Sequence, residues 1–157
     1  MASPIARIFA VIFLVLMSGA ATAATKNPAT SAKTTHRLLI QVNQNDPEIM
    51  NLALNNATNV IEYYRARGEQ ANIDIVAFGP GLHMLRSDTS PVRERIKGMK
   101  EMAFPGTLRF SACSVTKKGM ESREGKPIAM LPEASTVPSG VVHLMEQQEK
   151  GWNYVRP

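Results

Sequence analysis

The sequence has few of the residues and motifs that common enzyme classes require. Its 157 residues include one cysteine and three histidines, and aromatic side chains make up only 6%. The histidines are scattered without metal-ligand spacing, so we expect no metal site. The chain also contains no phosphate-binding P-loop and no G-x-S-x-G motif, which leaves nucleotide-binding and serine hydrolase functions without support. No cofactor is predicted.

Long apolar runs are also scarce, apart from one near the N-terminus. Residues 8–17 are all apolar, Arg7 precedes them, and an A-x-A sequence follows at 21–23. Ten residues are too few for a membrane span, which needs about 20, whereas this order is typical of a cleavable secretory signal. We therefore predict a signal peptide at residues 1–23, a flexible leader at 24–36 and one folded domain at 37–157. The mature protein would be periplasmic or secreted, with no stable membrane anchor.

The lone cysteine and the charge limit the partners of such an exported protein. A single cysteine excludes an internal disulfide, so the thiol is free, bridged to another chain, or buried as a small apolar group. The formal net charge is +5. With so few aromatic side chains there is no stacking pattern for nucleic acid, which we do not expect as a partner. The charge indicates either a solvated basic face or a small anionic partner.

Strand-like and helix-like patterns alternate through the predicted domain. Apolar runs predict strands at residues 38–42, 73–78, 107–113, 134–137 and 152–155. Helices are predicted after the capping residues Asp46 and Ser139, between Val92 and Ala103, and from Cys113 to a stop at Gly119. The proline-containing segment 120–132 is predicted as a loop. This alternation predicts a single three-layer α/β/α domain with a mostly parallel sheet of about five strands.

Asparagines recur on one face of the first predicted helix. Asn51, Asn55 and Asn59 are spaced by four residues and so share that face. Asparagine is a mediocre helix former, so the stripe indicates either a hydrogen-bonded contact between subunits or a solvated face.

The candidate site lies where the predicted strands end. In a parallel sheet, Asn43, His83, Cys113 and Ser139 would all follow strands at the carboxyl edge, where open α/β sheets bind ligands. We expect Cys113 to be an accessible thiol with a lowered pKa. The N-terminus of the following helix, Lys117 one turn further on, and the hydroxyls of neighbouring serines would favour a thiolate.

Each of these candidates has a plainer interpretation. Cys113 could instead pack in the core beside Phe110, where burial would raise its pKa. His83 is either a base or hydrogen-bond partner at the sheet edge, or an ordinary surface imidazole.

Several segments together resemble the DsrE/DsrF-like family, in an exported branch. They lie at residues 38–42, 51–56, 76–81, 112–113, 137–142 and 151–157. The resemblance covers essentially all of residues 37–157 and implies a small α/β/α domain that assembles into homotrimers or homohexamers. It also implies that Cys113, in an Ala-Cys context before Lys117, Lys118 and Gly119, carries a persulfide in a sulfur relay. The chain departs from the relay proteins of this family in carrying an export signal, since those proteins are cytoplasmic.

The residues and the resemblance together predict a function for the exported domain. The prediction is a thiol-based sulfur carrier or persulfide transfer protein that uses Cys113 and exchanges sulfur with a donor or acceptor protein. The alternative is a non-catalytic, oligomeric protein that binds a small ligand or acts as an accessory, with a structural cysteine.

Overall fold

The computed structural model describes residues 34–157, so the predicted signal peptide and most of the predicted leader lie outside the described residues. Strands and helices alternate along this part of the chain, as the sequence predicts. The elements are β1 (Thr35–Val42), α1 (Pro47–Ala66), β2 (Gln70–Ala77), a 3₁₀ helix (Gly79–Leu85), α2 (Arg93–Met102), β3 (Thr107–Cys113), α3 (Ser114–Glu124), β4 (Ala134–Val137), α4 (Gly140–Glu149) and β5 (Asn153–Val155).

The five strands form one sheet in the order β4-β3-β2-β1-β5, and every pair of neighbours is parallel. Parallel neighbours require crossover connections, which the helices supply. The predicted fold class is therefore confirmed: this is a three-layer α/β/α domain with a parallel sheet.

The two faces of the sheet are covered unequally. On one face, Ile40, Ile75 and Phe110 are fully buried in a large core that includes apolar residues of α1, α2, α3 and the 3₁₀ helix. On the other face a small cluster joins Leu39 and Val76 to Leu144 of α4. Successive strand residues point to opposite faces, which explains why Leu39 and Ile40 lie in different clusters. No helix within residues 34–157 is both long and apolar enough to cross a membrane.

Side-chain caps begin the two helices for which the sequence predicts them. The Asp46 carboxylate accepts hydrogen bonds from the amides of Glu48 and Ile49, at 2.8 and 3.5 Å. The Ser139 hydroxyl accepts one from the Val142 amide at the start of α4. These bonds satisfy amides that have no partner within a helix, so both caps are confirmed.

The third predicted helix is longer than the sequence indicates. It was expected to stop at Gly119, but α3 continues to Glu124 and ends at Gly125, which has the left-handed φ of 65° typical of a helix end. A glycine inside a helix costs only about 1 kcal/mol relative to alanine. Burial of Met120 in the core helps to offset that cost, so the helix continues through Gly119. The predicted loop accordingly begins five residues later.

The first strand also begins earlier than expected. Thr35 pairs with Gln70, so the sheet starts inside the segment predicted as leader. The next residue, His36, stacks on the Tyr64 ring with ring centres 3.5 Å apart, and its Nε2 lies 2.6 Å from a carboxylate oxygen of Glu69. These contacts fix the chain two residues before the predicted domain boundary at Arg37.

The asparagine face of α1 has a role within the chain. The Arg95 guanidinium of α2 donates hydrogen bonds to the side-chain oxygens of Asn51 and Asn55. Two of the three asparagines thus hold α1 to α2. This contact within one chain differs from both expected roles, which were a contact between subunits and a solvated face.

Candidate functional site

Cys113 is the last residue of β3 and also the residue that caps α3. Its Sγ accepts a hydrogen bond from the backbone amide of Thr116 at 3.4 Å. This confirms that a strand-to-helix turn places the thiol at the N-terminus of a helix. The expected accessibility is wrong, however, because Cys113 is only 4% exposed. A second helix contributes to its surroundings.

That second helix is α4, and the backbone amide of its first residue, Gly140, lowers the pKa of Cys113. Gly140 packs closely on the ring of Phe78, and a Cβ at this position would lie only 3.0 Å from the Phe78 side chain. A larger residue would therefore push the first turn of α4 away from the sheet. The absence of a side chain at residue 140 thus allows α4 to begin next to the thiol.

These donors oppose the effect of burial on the thiol. Burial by itself raises the pKa of Cys113, because it removes solvent from a thiolate. The Thr116 hydroxyl and amide act in the opposite direction, and so do the amides of Gly140 and Val115. Together the donors outweigh burial, so the pKa of Cys113 lies below its ordinary value. Amides from the N-termini of two helices therefore favour a thiolate here.

Thr116 is held in place by a further hydrogen bond. Its hydroxyl oxygen accepts the backbone N–H of Gly79 at 2.9 Å. The same hydroxyl also lowers the pKa of Cys113. The loop after β2 is thus connected to the thiol at the end of β3 through one side chain.

Two of the expected contributors to the thiolate are engaged elsewhere. The ammonium of Lys117 forms an ion pair with Glu121, one turn further along α3. The hydroxyl of Ser111 donates to the Asp74 carboxylate at 2.6 Å. The low pKa of the thiol is therefore explained by amides and by the Thr116 hydroxyl, without Lys117 or Ser111.

Asp74 is a fully buried carboxylate under α4. Besides Ser111, it accepts hydrogen bonds from Arg109 at 2.8 Å, while Nε2 of His143 lies 2.9 Å from its Oδ2. Arg109 also lies over the ring of Trp152, 5.6 Å from its centre. A buried carboxylate needs such partners to offset its lost hydration. Because His143 belongs to α4, this network fixes that helix, and with it Gly140, on the sheet.

A cleft of about 600 Å³ opens at the same edge of the sheet, beside Thr116. Gly79 and Thr116 line it together with His83, so one of the predicted binding residues lies in this cleft. Nδ1 of His83 is 2.8 Å from the Thr89 hydroxyl. Cys113 does not line the cleft.

The other predicted binding residues divide between two places. Ser139 caps α4 and precedes Gly140, whose amide lowers the pKa of Cys113. The backbone of Asn43 lies next to Gly79 and Gly81, and a Cβ on Gly81 would come within 2.8 Å of the Asn43 Cα. The carboxyl edge thus gathers the predicted loops, but the thiol and the cleft are separate features that share Thr116.

Within residues 34–157 no three histidine, cysteine or acidic side chains come together in a way that could hold a metal ion. The chemistry that this arrangement offers is that of a single polarised thiol.

Comparisons with known proteins extend the fold assignment. No protein-family model matches the chain, and no curated protein matches it either. A solved structure is similar: the protein of unknown function MTH1491 from Methanobacterium thermoautotrophicum, at 28% sequence identity and a TM-score of 0.64. The similarity covers 78% of this chain and 99% of that one. Because that protein has no assigned function, the similarity supports the fold and brings no activity with it.

Thr116, Gly140 and Asp74 are the site residues that sequence reasoning missed. Thr116 stands at the third helical position after Cys113, where the amide of a capped helix bonds back to the cap. Asp74 is the only charged residue in the apolar run 73–78, which is itself a signal for a buried polar contact. Gly140 follows the capping residue Ser139, but only the packing on Phe78 shows why it must be glycine.

Proposed function

We propose that this protein is an exported, DsrE/DsrF-like carrier of sulfane sulfur that uses Cys113. In the first step, the Cys113 thiolate attacks the outer sulfur of a donor persulfide, R–S–SH. A new S–S bond forms at Cys113, the S–S bond of the donor breaks, and the donor leaves as the thiolate R–S⁻. In the second step, an acceptor thiolate takes the same sulfur and Cys113 is left as a thiolate. No net oxidation occurs in either step.

One observation carries this proposal, namely the position of the Cys113 sulfur at the N-terminus of α3, where it accepts a hydrogen bond from the Thr116 amide at 3.4 Å. The thiolate is the nucleophilic form of cysteine, and amides at a helix N-terminus lower the pKa of a nearby thiol.

Burial restricts how a donor would reach this thiol. Because Cys113 is 4% exposed, we expect attack to require a movement of the first turn of α3 or α4. Such openings at helix ends cost less than global unfolding. Small donors should therefore react, but more slowly than with an exposed thiol of the same pKa.

The test is direct transfer of sulfur to the purified protein. The mature protein is incubated with glutathione persulfide, and its intact mass is measured after free thiols are blocked. We expect the mass of one sulfur atom to be added at Cys113 and then lost to an acceptor thiol. The Cys113→Ser variant should gain no sulfur. A wild-type protein that gains none while its thiol remains free would overturn the proposal.

The alternative function is a non-catalytic protein that binds a small ligand. Two observations favour it: the burial of Cys113 and the presence of a cleft that Cys113 does not line. Under this alternative the Cys113→Ser variant binds the ligand as well as the wild type does. The wild type never carries persulfide sulfur.

We also propose that the protein works as a homo-oligomer, a trimer or a multiple of a trimer. The resemblance to the DsrE/DsrF-like family implies this assembly. The structure adds an apolar surface on α4, which we define as Val141, Val142 and Met145, each about half exposed. Exposed apolar groups clustered on one helix are typical of protein contacts.

A further inference from the structure

The cleft beside Thr116 has the size and the lining of a small-molecule site. Such sites commonly measure about 300–1,000 Å³, and this cleft measures about 600 Å³. Pro80, Val115 and Met120 supply apolar walls. Small-molecule sites typically combine walls of this kind with a few well-placed polar groups.

Three polar groups of the cleft have no partner within residues 34–157. They are the side-chain amide of Asn45 and the guanidinium of Arg123, both on exposed residues, and Nε2 of His83, whose Nδ1 lies 2.8 Å from the Thr89 hydroxyl. No acidic side chain lines the cleft. Its polar groups therefore favour a ligand with negative charge, which Arg123 can bind through paired N–H donors.

A glycine keeps this space open at some cost to the fold. Gly119 lies inside α3, and a Cβ added to it would meet nothing within 4 Å. Neither a close contact nor a positive φ requires glycine there, although glycine in a helix costs about 1 kcal/mol relative to alanine. Because Gly119 lines the cleft, a side chain at residue 119 would occupy the cleft.

From these observations we propose that the cleft binds a small organic anion. Its carboxylate, phosphate or sulfonate group is held by Arg123, with His83 and Asn45 as further partners, and its apolar part lies against Val115 and Met120. This site is distinct from Cys113, so the proposal does not depend on sulfur transfer. The two sites are neighbours because Thr116 lines the cleft and donates to the sulfur.

The test is a titration of the full mature protein with benzoate and phenyl phosphate, with neutral benzyl alcohol for comparison. Binding is followed by the NMR signals of the backbone amides of Gly79, Thr116 and Gly119. We expect saturable shifts with at least one of the two anions and none with the alcohol. Arg123→Gln should weaken binding about tenfold or more, because it removes a hydrogen bond between charged groups.

Two glycine variants provide a matched pair. Gly119→Leu fills the cleft and should abolish binding. Gly98→Leu alters a glycine inside α2 that also has open space at its Cβ but does not line the cleft, and it should leave binding unchanged. Both substitutions replace a glycine inside a helix with a better helix former. A difference in ligand binding between the two variants therefore reports on the cleft.

The outcomes that overturn the proposal are specific. They are unchanged binding in Gly119→Leu, equal binding of the neutral alcohol, or no saturable shift with either anion. A smaller molecular mass of Gly119→Leu in solution would also overturn it, because the cleft would then be filled by a second copy of the chain. If the wild type binds the anion but gains no sulfur from glutathione persulfide, the proposed function alone would be rejected.

Discussion

The hydroxyl oxygen of Thr116 accepts the Gly79 amide at 2.9 Å, while the backbone amide of Thr116 donates to the Cys113 sulfur at 3.4 Å. The Thr116 hydroxyl lowers the pKa of Cys113 in addition to the helix amides. A thiolate accepts such hydrogen bonds more strongly than a thiol does, which is why they lower the pKa of Cys113.

Thr116→Val should raise the pKa of Cys113. Valine has nearly the shape of threonine but lacks the hydroxyl that lowers the pKa of Cys113. We expect the midpoint of the pH dependence of Cys113 alkylation to move upward. Thr136→Val, on exposed β4, should leave the midpoint where it is. An unchanged midpoint in Thr116→Val would show that the helix amides alone account for the lowered pKa.

The sequence predicts the fold better than it predicts the site. Local patterns of apolar residues and caps such as Asp46 are enough to define the strands and most helix starts. The end of α3 is not predictable in this way, because Gly119 and Gly125 both resemble stops. Only the burial of Met120 and the φ of Gly125 distinguish them. The convergence of Gly140 on Cys113 depends on the positions of two helices on the sheet, which a local pattern does not encode.

Loss of the cap at α1 should destabilise the domain measurably. Asp46→Ala removes the acceptor for the amides of Glu48 and Ile49. We expect the free energy of unfolding in urea to fall by about 1 kcal/mol. Gln44→Ala, in the same exposed loop, should change it by less than about 0.5 kcal/mol. Equal effects of the two substitutions would contradict the capping role.

Acid should weaken the fold partly through one ion-pair cluster. The buried guanidinium of Arg86 donates to Asp88 at 2.7 Å and also to Glu124. These bonds hold the pKa of both carboxylates below their usual range. Lowered folded-state pKa values contribute stability that is present above the unfolded values of about 4 and is lost as the pH falls below them.

We therefore expect the urea midpoint of the wild type to drop between pH 7 and pH 3, and Asp88→Asn to reduce that drop. Glu94→Gln changes an exposed carboxylate that has no ion pair within residues 34–157. Its urea midpoint should fall as much between pH 7 and pH 3 as that of the wild type. If Asp88→Asn and the wild type lost equal stability on acidification, this cluster would not contribute to the acid sensitivity.

Light scattering of the mature protein at micromolar concentration should show a trimer or a multiple of it. Met145→Glu places a charge in the apolar surface of α4 and should lower the measured mass. Leu52→Glu, at an exposed apolar residue of α1 on the other side of the sheet, should leave it unchanged. A wild type that is monomeric at this concentration would contradict the proposed assembly.

The reactivity of Cys113 toward iodoacetamide across a pH series is the most direct test of the proposed function. Because the chain has only this cysteine, all labelling reports on one site. We expect labelling without denaturant and a titration midpoint below the ordinary value of about 8.5. A midpoint at or above that value, or labelling only in denaturant, would show that Cys113 is a structural residue.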